Sequence, residues 1–284
     1  MQKSLSGFTI IEMVVVIVIG AIISVGLVQF IGDTARGYSS SAMRNKLASS
    51  GRIAIVRIST EVHNSVPYSL RANALAGGGP PGSADQCLEF IPVRAATTYI
   101  NPGFKKSGKK TFEVIDFNPL LEISSPANVF AVIYPKDTAD LYNYDDDKGP
   151  LALLDKIEDT GGADGKETIT VDATKHKFSK RSPLNRIFIV DGPVSFCVES
   201  DKIFRYSGYA LTATQPEPGG APTFVGGKRV LITDSVDNFT DTLTAFNVDA
   251  PTKNRNSILG MEINFTQQGE VVLFNDEVLT RNVP

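Results

Sequence analysis

The sequence predicts an α+β protein, with a long N-terminal helix packed on a largely antiparallel β-sheet domain. Three observations predict it. Met13–Ile31 is an apolar run without a single charged side chain, and Glu12 directly precedes it. Downstream, Leu47, Ala54, Ile55, Ile58 and Val62 recur at helical spacing, with Arg44, Lys46, Arg52 and Arg57 between them. Beyond Pro67 the chain turns to short β-branched and aromatic runs separated by glycine- and proline-rich stretches.

The apolar run comes first. At about 1.5 Å per residue it covers a bilayer's hydrocarbon core of about 30 Å. The carboxylate at its start costs about 2.5–3.5 kcal/mol in lipid, so an acid retained there needs a partner and a job. Three readings compete for the segment. A plain single-pass anchor is the simplest. A cleaved secretory signal calls for a basic n-region, a core of about 7–15 apolar residues and a small-x-small site after it. Here Lys3 is the only base before the run, and the run is too long. The third reading takes Gly7, Phe8 and Glu12 together with the run. That combination resembles the prepilin signature of type IV pilins and type II secretion pseudopilins. The resemblance implies a cut between Gly7 and Phe8 by a prepilin peptidase, N-methylation of Phe8, and Glu12 as an assembly residue. It implies other pilins as partners through the N-terminal helix, with the inner membrane as the site before assembly. The C-terminal domain would then face the periplasm and later the cell surface. Counting flanking bases alone, Arg36, Arg44 and Lys46 favour the opposite orientation.

The amphipathic stretch continues the same helix, because nothing breaks the pattern before Pro67. The residue before a proline avoids the α region, so Val66 closes a rod of about 90 Å that starts at Phe8. The expected division is a leader over 1–7, a membrane and assembly helix over 8–32, its amphipathic continuation over 33–66, and a β-rich domain over 67–284. Gly20, Gly26, Gly32, Gly37 and Gly51 each weaken the rod by about 1 kcal/mol relative to Ala. They serve either bending or close helix packing in lipid.

The β domain opens on a loop, ANALAGGGPPGSADQ (Ala72–Gln86). Strand runs follow: CLEFIPVRA from Cys87, TFEVIDF from Thr111, NVFAVIYP from Asn128 and ETITVDA from Glu167. The longest stretch, Asn185–Tyr209, holds several strands, and KRVLITDSV from Lys228 adds one. Ile258 to the C-terminus reads as a hairpin turning at Gln267-Gln268-Gly269.

The chain has two cysteines, Cys87 and Cys197, each inside a strand run. Their spacing fits no zinc or redox motif. In the periplasm that the resemblance implies, a disulfide is the default; two buried free thiols are the alternative. A bridge closing so long a loop contributes about 4–5 kcal/mol in the chain-entropy picture.

The candidate chemistry is sparse. His63 and His176 have no zincin spacing or triad partner and read as surface or capping residues. Gly77–Gly82 matches a dinucleotide fingerprint in letters, but no strand precedes it and its prolines cannot open the required helix. Gly103–Thr111 nearly spells a phosphate loop, with Lys110 in the hydroxyl position; it reads as a basic exposed hairpin. Asn143, Asp145 and Asp147 approach a calcium loop, yet Gly149 falls one position late and Leu154 replaces the closing glutamate. A solvated acidic turn is the competing reading. With 28 basic and 31 acidic residues the net charge is −3, which excludes a basic nucleic-acid surface. No catalytic set and no cofactor site emerge, so the expected role is structural rather than enzymatic. Within the superfamily, Ala35–Tyr38, Asn64–Pro67, Cys87–Val93, Val194–Val198 and Arg281–Pro284 look like stretches of the minor pilins of the mannose-sensitive haemagglutinin (MSHA) pilus. That likeness implies a low-abundance subunit that initiates or caps a fibre and supports attachment. A type II secretion pseudopilin, and an adhesin binding glycan near Tyr142 and Tyr144, are the alternatives.

Overall fold

The computed structural model describes residues 7–74, 86–104, 108–117, 121, 123, 128–159, 162, 164–219, 223–238, 243–249 and 256–280. Residues 1–6 of the expected leader, the Gly77–Gly82 loop, Lys105–Ser107 of the basic hairpin and Arg281–Pro284 lie outside the described residues.

Helix α1 runs unbroken over Ile10–His63, 54 residues, and so spans about 80 Å. It stops three residues earlier than Pro67 alone predicts. Asn64 caps it: its backbone N–H reaches Thr60 O and its side-chain amide donates to the same carbonyl. Ser65 then bridges Pro92, which commits the chain to sheet pairing.

The β-domain strands in chain order are β1 (Arg71–Ala74), β2 (Gln86–Phe90), β3 (Val93–Ile100), β4 (Thr111–Ile115) and β5 (Phe130–Val132). A short helix, α2 (Thr138–Tyr142), precedes β6 (Lys148–Gly149), β7 (Leu151–Glu158), β8 (Lys166–Val171) and β9 (Lys177–Phe178). Then come β10 (Arg186–Val190), β11 (Val194–Glu199), β12 (Lys202–Ser207), β13 (Lys228–Asp234), β14 (Phe246–Asp249), β15 (Ile258–Gln267) and β16 (Glu270–Leu279).

These strands build more than the single sheet the sequence predicts. An antiparallel sheet of order β1-β2-β11-β12-β13 and a second of order β14-β15-β16 hold the helix. Beside them β10-β3-β4-β8-β7-β5 close into a barrel, and β6 pairs β9 in parallel. The run from Cys87 to Ala95, expected as one strand, is two. It breaks at Ile91-Pro92, where a proline without an amide hydrogen cannot extend the ladder. β2 stays in the five-stranded sheet, and β3 crosses into the barrel.

The docked part of α1 buries Leu47, Ile55, Ile58 and Val62 against Leu88, Phe90, Phe196 and Ile203 of one sheet and Leu259, Ile263 and Phe265 of the other. The barrel has its own interior, in which Tyr99, Phe112, Val114, Leu154, Ile169, Ile187 and Ile189 alternate with outward residues. Part of its outer wall, Phe130, Val132, Phe188 and Val190, is covered by Leu141 and Tyr142 of α2 and by Val66 and Ile91. The C-terminal hairpin closes with Gln267 opposite Glu270. Gln268 and Gly269 both take positive φ there, 52° and 83°, as a two-residue hairpin turn requires.

Candidate membrane and assembly helix

The N-terminal half of α1 stands free of the domain. Phe8, Ile10, Ile11, Met13 and the apolar residues through Ile31 are exposed. The segment is long and apolar enough to cross a membrane, and none of its most apolar stretch is buried within the protein. A soluble chain does not leave so large a contiguous apolar surface uncovered. Ser24 and Thr34 turn their hydroxyls back onto Gly20 O and Phe30 O, each at 2.7 Å, so neither offers lipid an unpaired donor.

At the tip, Thr9 is the N-cap and its hydroxyl accepts from Glu12 N–H at 3.4 Å. Thr9 and Glu12 stand three apart, the spacing of a capping box, which suits a capping role for Glu12 as well. Glu12 is exposed in the first turn, where a carboxylate also meets the positive end of the helix dipole. Gly7 and Phe8 lie just before it, outside the helix.

Where α1 meets the domain, β16 runs alongside it. Glu270 accepts from Ser40 Oγ and pairs with Arg44 Nε at 3.2 Å. Further along, Ser59 donates to Asp276 at 3.1 Å and His63 Nδ1 lies 3.0 Å from Leu279 O. From Ser40 to His63 the helix rises about 35 Å, and from Glu270 to Leu279 the strand advances about 30 Å, so the two elements keep step. Between these contacts sits Gly51, buried beneath Phe274 and Phe265. The two roles expected of it, bending and close helix packing in lipid, do not include this one: the missing side chain is the notch that admits an aromatic ring. Arg205 anchors the other flank, with Nε 2.9 Å from Glu61 Oε2.

Cys87 and Cys197 are disulfide-bonded. They sit directly opposite each other on β2 and β11, on the sheet face turned away from the helix. The next pair on that face, Glu89 and Ser195, carries a buried polar cluster absent from the sequence reading. Tyr209 donates to Glu89 at 2.9 Å and lies 2.7 Å from Ser195 Oγ; Arg71 pairs with Glu89 and stacks 3.5 Å over the Tyr142 ring. Burial pushes the Glu89 carboxyl up, and Arg71 pulls it partly back. Burial, reinforced by the nearby Glu89 charge, holds the Tyr142 and Tyr209 hydroxyls well above the usual tyrosine range.

Two expected surface features change place. Tyr142 is buried and donates to Ser69 O at 2.7 Å, while Tyr144 packs edge-on against Phe130, so the pair offers no exposed aromatic platform. His176, read as a surface or capping residue, is buried, with its ring nitrogens 2.8 Å from Asp146 O and 3.3 Å from Gly149 O. Both contacts fasten the 145–149 turn to the barrel. In that turn Asn143 ends α2, Asp145 accepts from Asp147 N–H at 3.0 Å, and Lys148 stands 3.7 Å from Asp145. Among the described residues no three acidic, histidine or cysteine side chains gather to hold a metal.

A free apolar helix with an acid at its head, joined to a disulfide-bearing β domain, is the layout of a chain that one helix can anchor in a membrane. Residues 3–28 match the prokaryotic N-terminal methylation motif, the prepilin-type signature of type IV pilins and pseudopilins. No curated protein and no solved structure matches the chain. The motif therefore covers the head of the helix and leaves the β domain outside it.

Proposed function

We propose that this chain is a minor pilin of a bacterial type IV pilus of the MSHA kind, resembling that pilus's large minor pilin O. In this reading it is a structural subunit that helps initiate or cap the fibre and supports surface attachment; it is not an enzyme. A prepilin peptidase cuts between Gly7 and Phe8 and methylates Phe8. The subunit waits in the inner membrane with its β domain in the periplasm, where an oxidising milieu suits the Cys87–Cys197 bond. In the fibre, Glu12 pairs with the terminal amine of a neighbouring pilin. The amine of Phe8 lies four residues from Glu12, about 6 Å of helix rise, so a subunit displaced axially by that distance aligns the two charges. In a low-dielectric bundle, breaking one partner of such a pair costs several kcal/mol.

The observation that carries this reading is the unbroken helix from Ile10, whose apolar half is free of the domain while its other half is locked into the domain core. Intact-mass and terminal-peptide analysis of the protein from its own membranes tests it. The expected terminus is methylated Phe8, and Gly7→Val blocks the cut. Mature protein retaining Met1, or normal processing of that variant, overturns it. The same helix also suits a pseudopilin of type II secretion, in which case the protein stays in a short periplasmic filament.

A further inference from the structure

Beside the exit of α1 lies a groove of about 770 Å³, between the 64–67 segment and the β3–β10 wall of the barrel. Its volume is that of a small-molecule site. Its floor is the paired outer face of β3 and β10, where Arg186 stands opposite Thr98 and Phe188 opposite Ala96. Ala96 is exposed, and its small side chain keeps the floor open beside the Phe188 ring. Pro67 and Asn64 form the rim on the helix side.

The charges set the ligand. Arg94 lies 3.3 Å from Asp191, which offsets it. Arg186 is half-buried, and its guanidinium has no ion pair or side-chain hydrogen bond among the described residues. A half-buried fork of N–H donors without a counter-charge fits a carboxylate bidentately. Beside it stand the Thr98 hydroxyl, which suits a sugar hydroxyl, and the small exposed apolar surface of Ala96, which suits a ring face.

We propose that this groove binds a carboxylate-bearing sugar, such as a uronic acid within an acidic glycan, with Arg186 holding the carboxylate. The site is separate from the Tyr142–Asp147 turn, and the inference does not rest on the pilin reading; either can fail alone.

The test is calorimetric titration of the full chain in detergent micelles with sodium glucuronate, glucose and a capped triglutamate peptide. The expected result is saturable glucuronate binding, with glucose weaker by about tenfold or more, as loss of a charge-assisted contact implies. Arg186→Gln lowers glucuronate affinity by a similar factor without lowering Tm, since among the described residues the guanidinium makes no ion pair or side-chain hydrogen bond. Ala96→Phe fills the groove and abolishes binding while leaving the charge in place. Absence of saturable glucuronate binding overturns the proposal. So does unchanged affinity in both variants, or preference for the peptide.

Discussion

Replacing Gly51 by alanine gives a sharp reading of how α1 is held. A Cβ built there falls 2.3 Å from Phe274 Cε2, 2.9 Å from Cδ2 and 3.0 Å from Phe265 Cε2. Two effects oppose each other. Alanine favours the helix by about 1 kcal/mol over glycine. Overpacking a close-fitted core costs about 1–3 kcal/mol. Phe274 cannot simply swing aside, because its ring packs edge-on against Phe265 at 5.6 Å and Phe265 is fully buried. The clash therefore wins, and Gly51→Ala destabilises the domain by up to about 2 kcal/mol. At about 2–4 °C per kcal/mol for a domain of this size, Tm drops by several degrees. Gly37 is the control: it sits in the same helix with nothing within 4 Å of a new Cβ, so Gly37→Ala leaves Tm unchanged or raises it. Thermal unfolding followed by circular dichroism in detergent distinguishes the two. Adding Phe274→Leu to the Gly51→Ala variant restores part of the loss, as coupling between touching residues requires. A Gly51→Ala protein at least as stable as Gly37→Ala refutes the notch.

Two further outcomes follow from the sheet face opposite the helix. Removing the disulfide with paired Cys87→Ser and Cys197→Ser changes lowers stability by about 2–5 kcal/mol, read from urea midpoints; an unchanged midpoint, or two alkylatable thiols in the native protein, contradicts it. Tyr142 and Tyr209 keep their protons in the folded state beyond the pH at which unfolded tyrosines release them. Their contribution is therefore intact below about pH 10 and declines as pH rises above it. Tyr209→Phe flattens that alkaline decline in a series of denaturation curves; an identical decline in the variant argues against the assignment.

Much of the helix was legible because its signals are local. Apolar run, acid, heptad-like spacing and proline all lie within one contiguous stretch, and the predicted and observed ends differ by three residues because Asn64 caps before Pro67 can act. Most strands were legible for the same reason, and so was the hairpin turn at Gln268-Gly269. The barrel was not. Closure depends on which strands pair, and pairings such as β10 with both β3 and β5 join residues far apart in sequence. β7 escaped notice because LALLDKIE carries few β-branched residues, and its place is set by neighbours on both sides. The Arg71–Glu89 cluster was equally invisible: an acid inside CLEFIPV gives no local sign that an arginine 18 positions earlier meets it. The notch at Gly51 was not legible because a glycine's helix penalty is local, whereas the ring that fills the notch arrives from β16.

The central claim, that the free half of α1 is an assembly element governed by Glu12, is tested most directly by partitioning Glu12→Ala protein between sheared surface fibres and membranes. Removing the carboxylate leaves Thr9 as the cap and costs the helix end no more than about 2 kcal/mol, so the variant still folds and inserts. The account predicts protein that is cleaved at Gly7, anchored in the membrane, and depleted from fibres relative to wild type. Incorporation of Glu12→Ala at the wild-type level would contradict it.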